Sequence, residues 1–157
     1  MKPKKLLGAL TVGLLAIAPV SASAQGAAPE TGGAPSSEAK TQTIANLVEA
    51  TRGEANAAHR YDLFAERADE EGYREVASLF RAAALSERVH RRNHEEVLRS
   101  LGVPPPTVRL EQVAVGTTQE NLRGPIQGER KETEQIYPRF ARQAEQAGIP
   151  AAALTFR

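Results

Sequence analysis

FRAAALSERVHRRNHEEVL, from Phe80 to Leu98, predicts an amphipathic helix that carries Glu87 and His90 one turn apart within an apolar stripe. A buried carboxylate is costly unless a cation, hydrogen bonds or a metal compensates it. Glu-x-x-His on an inward helix face is the pattern used by carboxylate metal sites in helical bundles. The stripe is read at alternating steps of four and three, and comprises Val76, Phe80, Ala83, Glu87, His90, His94, Val97 and Leu101.

A second long helix is predicted immediately before this one. It runs from Thr41 to Glu71, and Gly72 ends it, as glycine at a helix C-terminus commonly does. The following helix spans about Tyr73 to Ser100, so the connection has only one or two residues and the two helices form an antiparallel hairpin. Glu54 interrupts the apolar seam of the first helix, which comprises Leu47, Ala50, Glu54, Ala57, Tyr61, Phe64 and Ala68.

A third helix is predicted after a proline-rich crossover at residues 103–116, which is not helical. Thr117 and Glu120 have the spacing of a capping box, and Gly148 ends the helix. Pro125 either marks the true first turn or kinks the helix, and Pro138 is expected to bend it. The inward positions are Leu122, Ile126, Glu129, Ile136, Phe140 and Ala147, with Glu132 one turn after Glu129.

The sequence contains an internal repeat. Gly53-Glu54 corresponds to Gly128-Glu129 at an offset of 75, and Phe80-Arg81 corresponds to Phe156-Arg157 at an offset of 76, after a one-residue insertion. Two copies of a helical hairpin predict a four-helix bundle whose central site receives equivalent ligands from each half. Pro150 would open the fourth helix. The copy of the Glu-x-x-His pair would fall beyond Arg157, so we expect a truncated fourth helix or a fragment of a longer chain.

The N-terminus has the features of a secretory signal peptide at residues 1–24: three lysines, an apolar run, and Ala22-Ser23-Ala24 at the cleavage position. Residues 25–40 are rich in Gly, Ala, Pro and Ser and are predicted to be a flexible linker. Residues 41–157 form the folded domain. We therefore expect an exported protein, periplasmic or extracellular, without a stable membrane span after cleavage.

Composition excludes several classes of protein. The chain has no cysteine, so it has no disulfide, thiolate metal site or cysteine nucleophile. The formal net charge is +1, with Lys and Arg dispersed among Asp and Glu, and no basic patch indicates a nucleic acid partner.

These motifs together make the chain similar to the rubrerythrin family of the ferritin-like superfamily. The similar runs are GEANAAHRY (Gly53 to Tyr61), EEGYREVASLFR (Glu70 to Arg81), SERVH (Ser86 to His90) and GERKETEQIYPRFA (Gly128 to Ala141). The resemblance implies an all-α, ferritin-like four-helix bundle with a pair of irons. It further implies metal ligands at Glu54, Glu87, His90, Glu129 and Glu132, and tyrosines beside the metals, Tyr61 and Tyr137, that orient carboxylates.

Further expectations follow from the resemblance. The family reduces hydrogen peroxide at its di-iron centre, and manganese is a second metal that such ligands would take. A cysteine-free chain would need an external electron donor. Two alternatives stay open: a ferroxidase or iron-handling protein that uses oxygen, and a metal-free helical remnant that acts by homodimerisation. His94 has no role implied by the resemblance, and we interpret it as a satisfied core histidine at the end of the bundle.

Overall fold

The computed structural model describes residues 36–157, except for the side chains of Ile126 and Gln127. The predicted signal peptide and most of the predicted linker lie outside this part. The described chain is all-α, as predicted, and contains no strand between residues 36 and 157. Its elements are α1 (Ser37–Glu70), α2 (Arg74–Ser100), α3 (Thr118–Lys131), a π-helical turn (Glu132–Ile136), α4 (Tyr137–Gln146) and α5 (Pro150–Thr155).

Helix α1 begins four residues before the predicted start at Thr41. The side chain of Ser36 accepts a hydrogen bond from the backbone N–H of Ala39 and caps the helix, and Glu38 lies in the first turn, where a negative charge is favourable. These capping residues lie inside the segment that was predicted as a linker because it is rich in Gly, Ala, Pro and Ser. The predicted pairing of α1 with α2 is confirmed, since the two helices contact each other along much of their lengths.

The turn between α4 and α5 repeats the turn between α1 and α2. Each contains a glycine in the left-handed region, at φ 84° and φ 66°, where a Cβ would be strained. The next residue donates its backbone N–H to the carbonyl five residues earlier, at 2.7 Å and 2.9 Å. The equivalent pairs, each 76 residues apart, are Gly72 and Gly148, Tyr73 and Ile149, and Ala68 and Ala144.

The π-helical turn lies where the offset between the two repeats changes. Glu129 follows Glu54 by 75 residues, whereas Tyr137 follows Tyr61 by 76. The inserted residue therefore falls between Glu129 and Tyr137, and Glu132–Ile136 occupies that interval. A π turn holds one extra residue within a continuous helix, so it absorbs the insertion without a break in the chain direction.

The two prolines of the third helical segment have different surroundings. Pro138 is the second residue after the π turn, and this wider turn accommodates a residue that lacks an N–H donor and whose ring crowds the preceding turn. Pro125 lies inside α3, which begins at Thr118 behind the predicted capping box of Thr117 and Glu120. Pro125 therefore does not mark the first turn of this helix.

The apolar core has two clusters, one on each side of Glu54. Ala50 belongs to the first cluster, with Leu47, Leu98 and Phe140, and Ala57 belongs to the second. Every residue of the predicted inward stripe of α1 is buried, including Glu54. The side chain of Ile126, predicted to face inward, lies outside the described part. None of the helices within residues 36–157 has an apolar stretch long enough to cross a bilayer.

Candidate metal centre

Three of the predicted ligands converge between α1 and α2. Glu54 and Glu87 are 2% and 7% exposed, and one donor atom from each lies within 4.8 Å of one donor atom of His90. Nδ1 of His90 is 3.0 Å from Oε2 of Glu87. The two helices bring these side chains together because the hairpin packs the apolar stripe of α1 against that of α2. The convergence predicted from the Glu-x-x-His motif is present in the structure.

Glu54 and Glu87 are buried close together, so only one of the two carboxyl groups is ionised near neutral pH. Burial and the neighbouring Glu54 carboxylate raise the pKa of Glu87 to about 9. Burial also acts to raise the pKa of Glu54, but contacts with His94, Glu87 and Tyr137 outweigh it and hold that pKa below its usual value. In the absence of a metal, Glu87 therefore carries the proton near neutral pH and Glu54 carries the negative charge.

Glu129 and Glu132 come from the third helical segment and line the same cavity as the first three residues. Both are half-buried. Burial and the charges of Glu54 and Glu129 raise the pKa of Glu132 to about 7. The cavity has a volume of about 580 Å³, which is ample for metal ions and a small molecule. All five predicted ligands thus line one cavity.

The two predicted tyrosines contact the carboxylates reciprocally. Tyr61, from the first repeat, donates its hydroxyl to Oε1 of Glu129 in the second repeat at 2.6 Å. Tyr137, from the second repeat, donates to Oε1 of Glu54 in the first. Burial and the adjacent carboxylates raise the pKa of Tyr61 and of Tyr137 above the ordinary value, so both hydroxyls remain protonated donors. Each carboxylate is thereby fixed in orientation.

His90 does not occupy the inward position that the stripe predicted. Half of its side chain is exposed, at 50%, although it lines the cavity beside Glu87. The physical reason is its position at the edge of the α1–α2 contact, where α2 borders the cavity rather than another helix. His90 therefore presents a donor to the centre from the solvent side.

His94, which sequence reasoning placed in the core without a functional role, lies against the centre. It is fully buried, and its Nε2 is 3.6 Å from Oε1 of Glu54 and has no hydrogen-bond partner. Burial was predicted correctly, but the ring is satisfied only at Nδ1, which lies 3.0 Å from Oγ1 of Thr155, and not at Nε2. The sequence contained a signal for the position of His94 beside the centre, since His94 follows His90 by one turn on the same stripe.

The donor set fits metal ions. Carboxylate oxygens and imidazole nitrogens suit iron and manganese. Among the described residues, no lysine or arginine pairs with Glu54, Glu87, Glu129 or Glu132. Buried carboxylates without a fixed cation are unfavourable, and a bound metal supplies the missing charge.

Comparisons with known proteins point to one family. Residues 45–157 match the sequence profile of the family described as Rubrerythrin. Rubrerythrin-1 of Clostridium acetobutylicum is 33% identical over 121 residues, covering 74% of this chain and 62% of its own length. Rubrerythrin of Porphyromonas gingivalis is 35% identical over 117 residues, covering 74% of this chain and 58% of its own length.

Solved structures give the same relationship. Nigerythrin in its fully reduced, all-ferrous state superimposes with a TM-score of 0.66 at 34% identity, covering 73% of this chain and 56% of the nigerythrin chain. This similarity confirms the ferritin-like bundle predicted from sequence. The chain spans about three fifths of the length of the curated relatives that it matches.

Proposed function

This chain belongs to the rubrerythrin family, a type of di-iron protein that reduces peroxide, and we propose that it reduces hydrogen peroxide at a di-iron centre with electrons from an external donor. The observation that carries this proposal is the convergence of Glu54, Glu87 and His90 in the cavity that Glu129 and Glu132 also line. Metal roles for these five residues are part of the proposal.

A di-iron pair held by these residues would supply the two electrons needed to reduce peroxide, with two protons, to two molecules of water. The residues of the chain hold and orient this centre. Glu54 and Glu87 supply buried carboxylates from opposite helices of the hairpin, and metal binding displaces the proton that Glu87 holds in the metal-free protein. His90 supplies a nitrogen donor at the exposed edge.

Tyr61 and Tyr137 fix the carboxylates before a metal arrives. Each hydroxyl donates to one oxygen of a predicted ligand, Glu129 for Tyr61 and Glu54 for Tyr137. Such partners of metal ligands typically change metal affinity by about 10–100-fold when they are removed. The tyrosines thus act as positioning residues in this proposal.

Substrate and electrons would reach the centre from the cavity. His90, Asn93 and Arg142 line it and are exposed, so a molecule as small as peroxide has a route from solvent. The 157 residues contain no cysteine, and a cysteine-ligated iron site cannot be built from them. We therefore propose that the electrons come from a donor outside these residues.

The proposal extends to assembly and location. A homodimer is supported by the exposed apolar side chains of Leu79 and Leu85 on α2, which are 61% and 62% exposed. The signal-like sequence at residues 1–24 supports export. Sedimentation of the purified protein tests the homodimer. N-terminal sequencing of the protein recovered from a cell fraction tests export.

The experiment that tests the proposed function is anaerobic loading with ferrous iron followed by addition of peroxide. Wild-type protein should oxidise its iron with peroxide and turn over when a reductant is supplied. Glu87→Gln should bind little iron and show no turnover, whereas the exposed control Glu66→Gln should match wild type. Equal rates for wild type and Glu87→Gln contradict the proposal. Oxidation by oxygen without turnover of peroxide would favour an iron-handling protein.

A further inference from the structure

His94 is held at the junction of three helical elements. Its ring lies against Tyr137 of α4 and Phe156 beyond the end of α5, with centroid distances of 6.1 Å and 5.2 Å. Nδ1 is 3.0 Å from Oγ1 of Thr155 in α5, and Nε2 is 3.6 Å from Oε1 of Glu54 in α1. With no exposed surface, the ring is fixed in orientation by these contacts.

The hydrogen bonds around His94 determine which of its ring nitrogens carries a hydrogen. The hydroxyl of Thr155 donates to the carbonyl of Ala152 at 2.9 Å, so its oxygen is left to accept. Nδ1 of His94 must then carry the hydrogen and donate to Thr155. In the neutral ring, the lone pair therefore lies on Nε2, directed toward a carboxylate oxygen that also bears lone pairs.

The distance between Nε2 and Oε1 of Glu54 fits a shared metal and not a hydrogen bond. At 3.6 Å it exceeds the usual limit of about 3.2 Å for N–H···O. Two donors that each lie about 2.1 Å from one metal, separated by roughly 90–120°, are about 3.0–3.6 Å apart, and the observed distance lies at the upper end of this range. Oε1 already accepts from Tyr137, and its second lone pair remains available for a metal.

We propose that Nε2 of His94 is a metal ligand and shares a metal ion with Oε1 of Glu54. This inference rests on the proposed metal centre and adds a second histidine to the ligands implied by the sequence. A cation between the two atoms also explains why a fully buried imidazole nitrogen has no hydrogen-bond partner in the metal-free chain.

The chain allows a direct test because it contains three histidines. Replacing His59 with Gln and His90 with Ala leaves His94 as the remaining histidine. Neither replaced side chain is buried, so the core is preserved. The double variant, loaded with Mn²⁺ alone, is studied by pulsed electron paramagnetic resonance with ¹⁵N-histidine labelling. We expect a coordinated histidine nitrogen in this variant and two in wild type.

A second variant addresses affinity. His94→Leu keeps an apolar side chain between Tyr137 and Phe156 and should weaken Mn²⁺ binding at least about tenfold in calorimetric titration. It should also lose one of the two nitrogen signals, while His59→Gln keeps both. Circular dichroism and thermal unfolding show whether His94→Leu is folded. If it is unfolded, the double variant still shows whether a nitrogen of His94 coordinates Mn²⁺.

The outcomes separate this inference from the proposed function. If the double variant binds Mn²⁺ without a coordinated histidine nitrogen, His94 is a core residue and the inference is overturned, while the metal centre stands. If the double variant binds no Mn²⁺, the comparison of His94→Leu with wild type decides. If His94→Leu keeps both nitrogen signals, the inference is equally overturned. If wild type binds neither Mn²⁺ nor Fe²⁺, the proposed function and the inference both fail.

Discussion

Tyr61 and Tyr137 occupy equivalent positions 76 residues apart, and each donates its hydroxyl to a carboxylate of the opposite repeat, Glu129 for Tyr61 and Glu54 for Tyr137. These two hydrogen bonds connect the two repeats of the bundle at the candidate centre. Each tyrosine also lies near a phenylalanine of its own repeat, Phe80 or Phe156, at centroid distances of 6.2 Å and 5.6 Å. Structure as well as sequence is thus duplicated around the site.

Removing the hydroxyl of Tyr137 should weaken the centre. In Tyr137→Phe, the buried carboxylate of Glu54 loses its donor, and a hydrogen bond to a charged group contributes about 1.5–3 kcal/mol. We expect a lower free energy of unfolding for the metal-free protein, by about that amount, and about tenfold weaker metal binding. Urea denaturation and calorimetry measure the two effects. Tyr73→Phe, at an exposed tyrosine, is the control, and equal stabilities of the two variants would contradict the role of Tyr137.

The metal-free protein should lose stability as pH rises. The pKa of Glu87 is about 9 in the folded state, against the ordinary 4.5. The folded state therefore binds this proton more tightly than the unfolded state does. This contribution to the free energy of unfolding is complete below about pH 4.5 and is lost as pH rises through about 9. Glu132, with a pKa of about 7, acts in the same direction.

Urea denaturation of the metal-free protein between about pH 5 and pH 9 measures this dependence. The midpoint should fall across the range, and the fall should be smaller in Glu87→Gln, which cannot ionise. Added metal should stabilise the protein more at the alkaline end, because a ligand must release its proton to bind. A midpoint that rises with pH would show that Glu87 is ionised in the metal-free fold.

The π turn should accommodate the inserted residue without changing which side chains face the centre. Deleting exposed Gln135 restores an offset of 75 throughout, and the first repeat spans the same interval as uninterrupted α-helix. Because a π turn and an α turn with one residue fewer rotate the chain by nearly the same angle, Glu129 and Glu132 should keep their orientation relative to Tyr137. We expect unchanged helical content by circular dichroism and a metal affinity close to that of wild type in calorimetric titration. A marked loss of affinity in a folded deletion variant would mean that the π turn itself sets the positions of these ligands.

Phe156 should anchor the end of the chain against the site. It is 3% exposed and contacts the rings of His94, Tyr137 and Phe140. Phe156→Ala should lower the free energy of unfolding by about 3–5 kcal/mol. Leu154→Ala, at a position 67% exposed, is the matched control and should change it by less than about 0.5 kcal/mol. Thermal unfolding of both variants measures the difference, and a cost for Leu154→Ala as large as that for Phe156→Ala would contradict the packing described.

Much of this structure could be predicted from sequence, because helices of this length carry strong periodic signals. The stripe of α1, the glycines that end the helices and the capping box of Thr117 were all correct. The start of α1 was missed because Ser36 caps the helix within a segment of linker-like composition. The insertion was detected, but the π turn that absorbs it depends on hydrogen bonding that sequence spacing does not specify.

The site was predictable as a set of residues but not in its geometry. Periodicity placed Glu54 and Glu87 together, because both lie on seams that a hairpin must bring into contact. It could not distinguish exposed His90 from buried His94, since both fall on the same stripe of α2. That difference depends on which helix covers each turn, and the third helical segment and α5 decide it.

The most direct test of the proposed function is the iron content of the purified protein after anaerobic loading and removal of excess metal. The proposal predicts about two irons per chain, and a near-complete loss in Glu87→Gln together with retention in Glu66→Gln. Binding of less than one iron per chain, or equal binding by wild type and Glu87→Gln, would contradict a di-iron centre built on these residues.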